Sequence, residues 1–186
     1  MRKIIVSEFV SLDGVMEGPG PHDDFKHSGW TVPYMGEEIG KFKFDELFAS
    51  DALLLGQVTY AGFAKFWPTA PHDPFAAKMN SITKYVVAPD LQTASWNNTH
   101  IIKDNVVEEI AKLKQEPGKD ILVFGSSMLL ETLMRHNLVD EYQLLVYPVV
   151  LGAGKRLFKD DVTTKLNLIG TQAFKTGVVL LTYQLA

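Results

Sequence analysis

Gly125, Ser126 and Ser127 form a stretch of this sequence that is suited to bind an anion. They follow a short apolar run, residues 121–124, which is long enough for a buried strand and too short for a helix. Apolar residues at helical spacing come next, so the chain is expected to turn from a strand into a helix. The free backbone N–H groups and the positive end of the helix dipole at such a start attract phosphate groups. The alternative is purely local: Gly125 makes the turn and a serine caps the helix.

A second strand-to-helix junction lies at Gly56, directly after the continuous apolar residues 52–55. A helix is expected over residues 60–66, and Thr59 can either cap it or hydrogen-bond to a phosphate. Neither junction has the GxGxxG or P-loop spacing, so neither identifies a nucleotide site by itself.

The predicted strand ends give the two junctions a common location. Strands that end near Val10, Gly56 and Val87, together with the turn at Gly125, are expected to reach the same edge of one sheet. Ligands of open α/β sheets bind at the carboxyl ends of the strands. This convergence, rather than any single motif, predicts a nucleotide site.

Asp13 follows the first predicted strand, residues 3–11, and is the candidate for handling a proton or orienting a substrate. Residues 17–33 contain several Gly and Pro residues and are expected to form a loop at the carboxyl edge, which makes Phe25 and Trp30 candidates for a ligand site. Two of these candidates have a simpler interpretation. Asp13 can be an Asx-turn residue, and Trp30 can be an ordinary core residue.

His22, His27, Asp23 and Asp24 carry metal-binding side chains, but they lack the i, i+4 pairing on a helix that zinc enzymes use. We therefore expect no metal. A hydrolase that uses His22, His27 or His72 is disfavoured, because the sequence shows no Ser-His-Asp or Cys-His arrangement and no metal set for it.

The composition of the chain argues against several other classes of protein. Its 186 residues are 46% hydrophobic, which suits one domain with a sizeable core. A formal net charge of −4 offers no basic face for a nucleic acid. No cysteine is available for disulfides, thiolate metal sites or a thiol nucleophile. The apolar runs are too short for a signal peptide or a membrane span, so we expect a soluble cytoplasmic protein that has no membrane partner.

Strands and helices alternate along the sequence, which ends in a hairpin. The predicted strands cover residues 3–11, 52–55, 85–87, 99–102, 121–124, 142–150, 166–174 and 178–184, and the predicted helices cover residues 37–48, 60–66, 105–114 and about 128–137. Pro148 cannot donate a ladder hydrogen bond, so its strand is expected at a sheet edge or with a bulge. The pattern predicts an α/β fold: a mixed, mostly parallel sheet with helices on both faces and a C-terminal antiparallel hairpin.

Five segments, in this order, resemble the dihydrofolate reductase-like superfamily, and in particular the branch of the reductase domain of the bifunctional riboflavin-biosynthesis deaminase/reductase. They are SLDG at residues 11–14, LLLGQVTY at 53–60, KYVVAPDL at 84–91, ILVFGSSMLLETL at 121–133 and DEYQLLVYPVVLGAGKRLF at 140–158. The segments span nearly the whole chain, so the resemblance implies a single domain of this three-layer fold over residues 1–186. Together they are specific for the fold and less so for the substrate.

The resemblance also implies that NADPH lies across the carboxyl edge of the sheet and supplies a hydride. The implied contacts fall into four groups. Val10, Val15 and Met16, with Asp13, border the nicotinamide; Gly56, Gln57, Val58 and Thr59 hold the adenosine-side phosphates; Val87 and Ala88 meet the adenine region; and Gly125, Ser126, Ser127, Met128 and Leu129 hold the pyrophosphate.

Two departures from the family pattern bear on the choice of cofactor. Gln57 stands where the family commonly has an arginine, and Ala88, Pro89 and Asp90 stand where hydroxyl or basic residues usually meet the 2′-phosphate. A neutral amide and a carboxylate are poor partners for a phosphate. We therefore predict poor discrimination between NADPH and NADH.

A further departure bears on the substrate. Dihydrofolate reductases carry a carboxylate on the helix that faces the pterin, and the matching position here is near Gly40, with Glu37 and Glu38 about one turn earlier. Folate is therefore not the expected substrate. For a phosphoribosyl substrate, Lys155 and Arg156 are the basic residues in a suitable position, although a hairpin-like connection explains them as well.

The sequence leaves two principal hypotheses. The first is a reductase of a small heterocyclic or carbonyl substrate, with Asp13 acting on the substrate and with Trp30 and Phe44 as walls of the pocket. The second is a nucleotide-binding module without catalysis, which the missing phosphate partners and helix carboxylate motivate. The resemblance implies a homodimer, and the strand around residues 146–150 offers apolar residues on both sides for it.

Overall fold

The computed structural model describes residues 1–21, 24–159 and 163–186. The strands within these residues are β1 (Ile4–Ser11), β2 (Ser50–Gly56), β3 (Thr83–Val87), β4 (Thr99–Ile102), β5 (Asp120–Val123), β6 (Glu141–Tyr147), β7 (Leu166–Ala173) and β8 (Val179–Leu185). The α-helices are α1 (Glu37–Ala49), α2 (Gln57–Phe66), α3 (Pro74–Ser81), α4 (Val106–Gln115) and α5 (Ser127–Arg135). Short 3-10 helices cover Val32–Tyr34 and Trp67–Thr69.

All these strands belong to one sheet in the order β4-β3-β2-β5-β1-β6-β8-β7. The strands from β4 to β6 in that order pair in parallel, β8 pairs antiparallel with β6, and β7 pairs antiparallel with β8. Parallel neighbours bring their carboxyl ends to the same edge. Because β3, β2, β5 and β1 are adjacent, the chain positions near Val87, Gly56, Gly125 and Val10 reach one edge, as the sequence predicted.

The sheet is covered by helices on both faces. Leu130 and Leu133 of α5 and Ile110 of α4 are fully buried in an apolar cluster on one face. Leu47 of α1 and Met79 of α3 belong to a separate cluster on the other face, together with strand residues whose side chains point to that face. This arrangement, with the β7–β8 hairpin at the C-terminus, confirms the predicted mixed α/β fold. No helix in the described part of the chain has the length and apolar character needed to cross a membrane.

The structure corrects the interpretation of Pro148. Strand β6 ends at Tyr147, one residue before the proline, and lies in the interior of the sheet between β1 and β8. The strand therefore needs neither an edge position nor a bulge, because the proline follows its last ladder pair. Val146 already pairs with β1 and β8, so a dimer could not form by strand pairing there, and the dimer surface expected around residues 146–150 stays a prediction.

Two helices also differ from the prediction. Helix α2 begins at Gln57 instead of Tyr60, because Gly56 already takes the extended N-cap conformation. Helix α3 was not predicted, although its start carries clear signals. Pro74 occupies the first turn, and the Asp73 side chain accepts a hydrogen bond from the backbone N–H of Ala76 at 2.8 Å.

Candidate functional site

The two strand-to-helix junctions contact each other directly at the carboxyl edge of the sheet. The Ser126 hydroxyl accepts a hydrogen bond from the backbone N–H of Gly56 at 2.7 Å and donates one to the Thr59 hydroxyl at 2.8 Å. A Cβ atom on Gly56 would lie 2.8 Å from Ser126, and one on Gly125 would lie 2.9 Å from the Thr59 hydroxyl. The close approach of the two junctions therefore requires glycine on both sides.

The start of α5 has no side-chain cap. Gly125 and Ser126 both have left-handed backbone conformations, with φ of +61° and +70°, and α5 begins at the next residue. Because the Ser126 hydroxyl is directed at α2, it leaves the first N–H groups of α5 to other partners. The side chains of Val58 and Met128, 83% and 79% exposed, provide apolar surface at the starts of the two helices.

The expected adenine contacts differ in accessibility. Val87 pairs with Gly56 at the end of β3 and is partly exposed. Ala88 is fully buried in the cluster that contains Trp96, and Leu129, an expected pyrophosphate contact, is buried in the cluster beneath α5. Of these three residues, Val87 is therefore the one that offers surface to a ligand.

The residues expected to border the nicotinamide are buried. Val10 and Met16 belong to the apolar cluster that underlies α5, and Val15 is 1% exposed. Their loop is held in place by backbone hydrogen bonds to the segment after β6, from Met16 N–H to Lys155 and from Leu157 N–H to Gly14. In this conformation the three side chains pack inside the protein at the sheet edge.

Asp13 holds two loops together. Its carboxylate accepts hydrogen bonds from the Ser11 hydroxyl at 2.7 Å and from the backbone N–H groups of Leu151 and Gly152 at 3.1 and 2.8 Å. The Ser11 hydroxyl and these backbone donors lower the pKa of Asp13 to about 2. Asp13 is therefore an ionised acceptor at neutral pH, which suits orientation of a loop or substrate and does not suit proton donation.

Trp30 and Phe44 occupy different surroundings. Trp30 is 7% exposed, packs edge-on against Tyr147 at 5.3 Å and donates its indole N–H to the carbonyl of Glu17. Phe44 stacks on Phe48 one turn along α1, with ring centroids 4.1 Å apart. Trp30 thus packs as a core residue, and the predicted pocket wall of Trp30 and Phe44 stays a prediction.

The remaining loop candidates are held by local contacts. Lys155 pairs with the Glu17 carboxylate through both its backbone N–H and its ammonium group, at 2.9 and 3.1 Å, and Arg156 forms an isolated β-bridge with Val15. His22 and Asp23, two of the metal candidates, lie outside the described residues. Among the described residues, the structure contains no group of three or more acidic or histidine side chains that could hold a metal.

Sequence reasoning missed a set of buried polar residues on β1 and α1. Ser7 donates a hydrogen bond at 2.7 Å to Glu46, which also forms an ion pair with Lys43. The Lys43 ammonium lies 4.1 Å from the centroid of the Phe124 ring. Glu8, the next residue of β1, is 6% exposed. The signal was present in the sequence, because a carboxylate in the middle of a strand covered on both faces has to be accommodated by burial.

The acid on α1 that faces the sheet is thus Glu46 and not a residue near Gly40. Gly40 is exposed, and the position for an added side chain there is open. Glu46 is 8% exposed and is held by Ser7 and Lys43. The expectation that folate is not the substrate stays a prediction.

A groove of about 300 Å³ opens beside α2. It is lined by Gln57, Tyr60, Ala61, Ala64, Lys65, Leu91 and Ser95. The groove connects Gln57, at the start of α2, with the segment that follows β3. Gln57 is therefore accessible from the side where the resemblance places the adenosine half of the cofactor.

Comparison with known proteins identifies relatives over nearly the full length of the chain. The model of the RibD C-terminal domain family matches residues 2–180. The uncharacterized protein YyaP of Bacillus subtilis (strain 168) is 36% identical over 189 residues, which cover 98% of this chain and 94% of YyaP. The uncharacterized protein YwjB of the same organism is 30% identical over 183 residues, which cover 96% of each chain.

Solved structures share the fold at low sequence identity. A protein assigned to riboflavin biosynthesis from Shewanella sp. PV-4 matches with a TM-score of 0.69 and 18% identity, over 99% of both chains. A diaminohydroxyphosphoribosylaminopyrimidine deaminase/5-amino-6-(5-phosphoribosylamino)uracil reductase from Thermotoga maritima matches with a TM-score of 0.68 and 14% identity, over all of this chain and 57% of that one. These likenesses confirm the dihydrofolate reductase-like fold that the sequence predicted.

Proposed function

The chain belongs to the RibD C-terminal domain family, and from that premise we propose that it is a reductase that transfers a hydride from NADPH or NADH to a small heterocyclic or carbonyl substrate. The family supports a function like that of a pyrimidine reductase. One structural relative is named for a reductase of 5-amino-6-(5-phosphoribosylamino)uracil, so a pyrimidine-like ring is the first substrate class to test.

The contact between the two glycine junctions carries this proposal. Ser126 joins the start of α2 to the start of α5, so the N-termini of both helices meet at one point of the sheet edge. Two helix starts bring free N–H groups and partial positive charge to the same place, which suits the phosphate groups of a dinucleotide. Residues 56–59 and 125–129 would hold these phosphates, and Val87 and the groove beside α2 would meet the adenosine.

The cofactor and the protein would contribute differently to the reaction. The nicotinamide cofactor would supply the hydride. The protein would fix the cofactor through the two junctions, and Asp13 would keep residues 12–16 against the segment that follows β6. Because Asp13 is an ionised acceptor, its contribution to turnover would be to orient the loop or the substrate, and the proton would come from another group.

Three further properties belong to the same proposal. We place the protein in the cytoplasm as a homodimer. Dihydrofolate is not its natural substrate, because Glu46 is engaged by Ser7 and Lys43. Turnover of dihydrofolate by the purified protein at an ordinary enzymatic rate would contradict this last point.

The second candidate is a nucleotide-binding module without catalysis. The observation in its favour is the engagement of Asp13, the strongest catalytic candidate in the sequence, in three hydrogen bonds within the protein. Both candidates bind a nucleotide, and they differ in whether a hydride leaves it.

Titration with NADPH and NADH, followed by cofactor fluorescence, tests binding. Oxidation of the bound cofactor in the presence of pyrimidine-like and carbonyl compounds then tests catalysis. We expect the wild-type protein to bind the nucleotide. Gly125→Ala should abolish this binding, because position 125 has a left-handed backbone conformation and a Cβ atom there would contact Thr59. Gly62→Ala, on an open surface of α2, should bind as the wild type does. Lack of nucleotide binding by folded wild-type protein would refute both candidates, and binding without oxidation by any substrate would favour the second.

A further inference from the structure

Glu8 is a buried carboxyl group next to the turn that starts α5. It lies on β1 opposite Leu144 of β6, and the pairing of Val6 with Val123 places it level with Gly125 on the other side. Only 6% of its surface is exposed. Glu8 is therefore buried next to the turn where the proposed function requires a diphosphate to bind.

The surroundings of Glu8 are almost entirely apolar. Its neighbour Ser7 points to α1, so the alternation of the strand directs Glu8 to the opposite face, among Val10 and Leu144. Within the described part of the chain, its Oε1 atom has no hydrogen-bond partner. A carboxyl group of this kind is unusual, because buried polar atoms are normally paired.

Burial is the main cause that raises the pKa of Glu8, to about 8. The charged groups that act on it are Lys43, which opposes the shift, and Glu46, which adds to it, both from α1. The Gly125 N–H also opposes the shift. On the face where Glu8 lies, β6 and α5 present the apolar side chains of Leu144 and Leu129. Near neutral pH Glu8 is therefore mostly protonated.

Glu8 and the phosphates of a bound dinucleotide would lie close together at this edge of the sheet. An ionised Glu8 would place a buried negative charge beside the helix starts that attract phosphate. A protonated Glu8 removes this repulsion. We propose that Glu8 is a positioning residue of the nucleotide site, which binds the dinucleotide in the form where Glu8 carries a proton. This inference rests on the proposed function.

The consequence is that nucleotide binding and protonation of Glu8 are coupled. Above the pKa of the free protein, each nucleotide bound takes up about one proton from solvent. The affinity then falls as the pH rises, and it should fall about tenfold between pH 7 and pH 9 for a group with a pKa near 8. NADH is the suitable probe, because its diphosphate keeps the same charge throughout this range.

The test is a set of NADH titrations between pH 7 and pH 9.5, by fluorescence for affinity and by calorimetry in two buffers for proton uptake. Wild-type protein should show the tenfold loss, and Glu8→Gln should change less than twofold over the same range. Glu109→Gln, an exposed acid on α4, should keep the wild-type dependence. Lys84 also titrates near pH 8 after burial, but it lies at the amino end of β3, so the Glu8 variant separates the two groups.

The possible failures are distinguishable. The same pH dependence in wild type and Glu8→Gln would overturn this inference and leave the proposed function standing. Absence of NADH binding at every pH would overturn both. If Glu8→Gln does not fold, ¹³C NMR of glutamate-labelled wild-type protein decides the matter. A carboxyl signal that titrates near pH 8 in the free protein and stays protonated at pH 9 with NADH is expected, and its ionisation in the complex would refute the inference.

Discussion

The Ser126 hydroxyl accepts a hydrogen bond from the backbone N–H of Gly56 at 2.7 Å, and this contact joins the starts of α2 and α5. The serine at the start of a helix normally caps that helix. Here it serves the neighbouring junction, so the α5 N–H groups are left for a ligand and the two helix starts are fixed relative to each other. One side chain thus joins two turns into the single surface that we propose for the phosphate groups.

Gly56→Ala should separate the two junctions. The new Cβ atom would lie 2.8 Å from Ser126, so the turn has to move. We expect a loss of about 1–3 kcal/mol in the free energy of unfolding and a clear loss of affinity for NADPH. Urea unfolding and fluorescence titration measure the two effects.

Two variants control this experiment. Gly62→Ala adds the same methyl group to an open position of α2 and should stabilise the protein by about 0.5–1 kcal/mol. Gly56→Ala/Ser126→Gly removes the clash, and glycine suits the left-handed conformation at position 126. The double variant should therefore recover stability relative to Gly56→Ala. A double variant no more stable than the single one would show that the clash is not the cause.

Much of the fold follows from local patterns in the sequence. The apolar runs 52–55 and 121–124 contain no polar side chain, which fits strands buried on both faces, and both are central strands. Gly56 and Gly125 mark the ends of these strands in the sequence. Since parallel neighbours end at the same edge, the meeting of the two junctions could be predicted without coordinates.

Sequence reasoning was wrong or left alternatives open where a tertiary contact decides the role of a residue. Trp30 lies in a loop, yet its ring packs against Tyr147 on β6, more than a hundred residues away. Pro148 looked incompatible with an interior strand, but the ladder ends one residue earlier. Whether Glu8 is paired or isolated depends on which neighbours α1 and α5 place around it, and a single sequence does not contain that information.

Asp13→Asn should weaken the junction between the two loops that the carboxylate joins. An amide can present one oxygen to the N–H groups of Leu151 and Gly152, where the carboxylate presents two. We expect lower stability at pH 7 and slower turnover, with cofactor affinity nearly unchanged. Urea unfolding, steady-state kinetics and NADPH titration measure these quantities, and Asp45→Asn, on the exposed face of α1, is the control.

The pH dependence of this variant has a defined sign. The pKa of Asp13 is lowered from 3.8 to about 2 in the folded protein, so its stabilisation is present above about pH 4 and is lost as the pH falls through 2. The difference in stability between wild type and Asp13→Asn should therefore shrink between pH 4 and pH 2. A difference that stays constant over this range would show that the charge of Asp13 is not involved. If Asp13→Asn keeps both the turnover and the stability of the wild type, Asp13 is dispensable.

Glu8→Gln should change how stability depends on pH, independently of any ligand. The folded pKa of Glu8 is raised from 4.5 to about 8, so its contribution is fully present below pH 4.5 and is lost as the pH rises to 8. The variant should gain on the order of 2–4 kcal/mol relative to wild type between pH 4.5 and pH 8. Urea unfolding at both pH values measures the gain. If the free energy of unfolding depends on pH in the same way in both proteins, the pKa of Glu8 is close to its usual value in the folded protein.

Gln57→Arg should strengthen the preference for NADPH over NADH, which we expect to be weak in the wild-type protein. Gln57 is exposed at the start of α2, and a guanidinium there can bind a 2′-phosphate through two hydrogen bonds. We expect the two dissociation constants to differ less than tenfold in the wild type and about tenfold more in the variant, since a charged hydrogen bond contributes roughly 1.5–3 kcal/mol. Gln115→Arg, at the end of α4, adds the same charge elsewhere and should leave the ratio unchanged. A strong NADPH preference in the wild type would show that another group, such as Lys65 in the groove beside α2, already binds the phosphate.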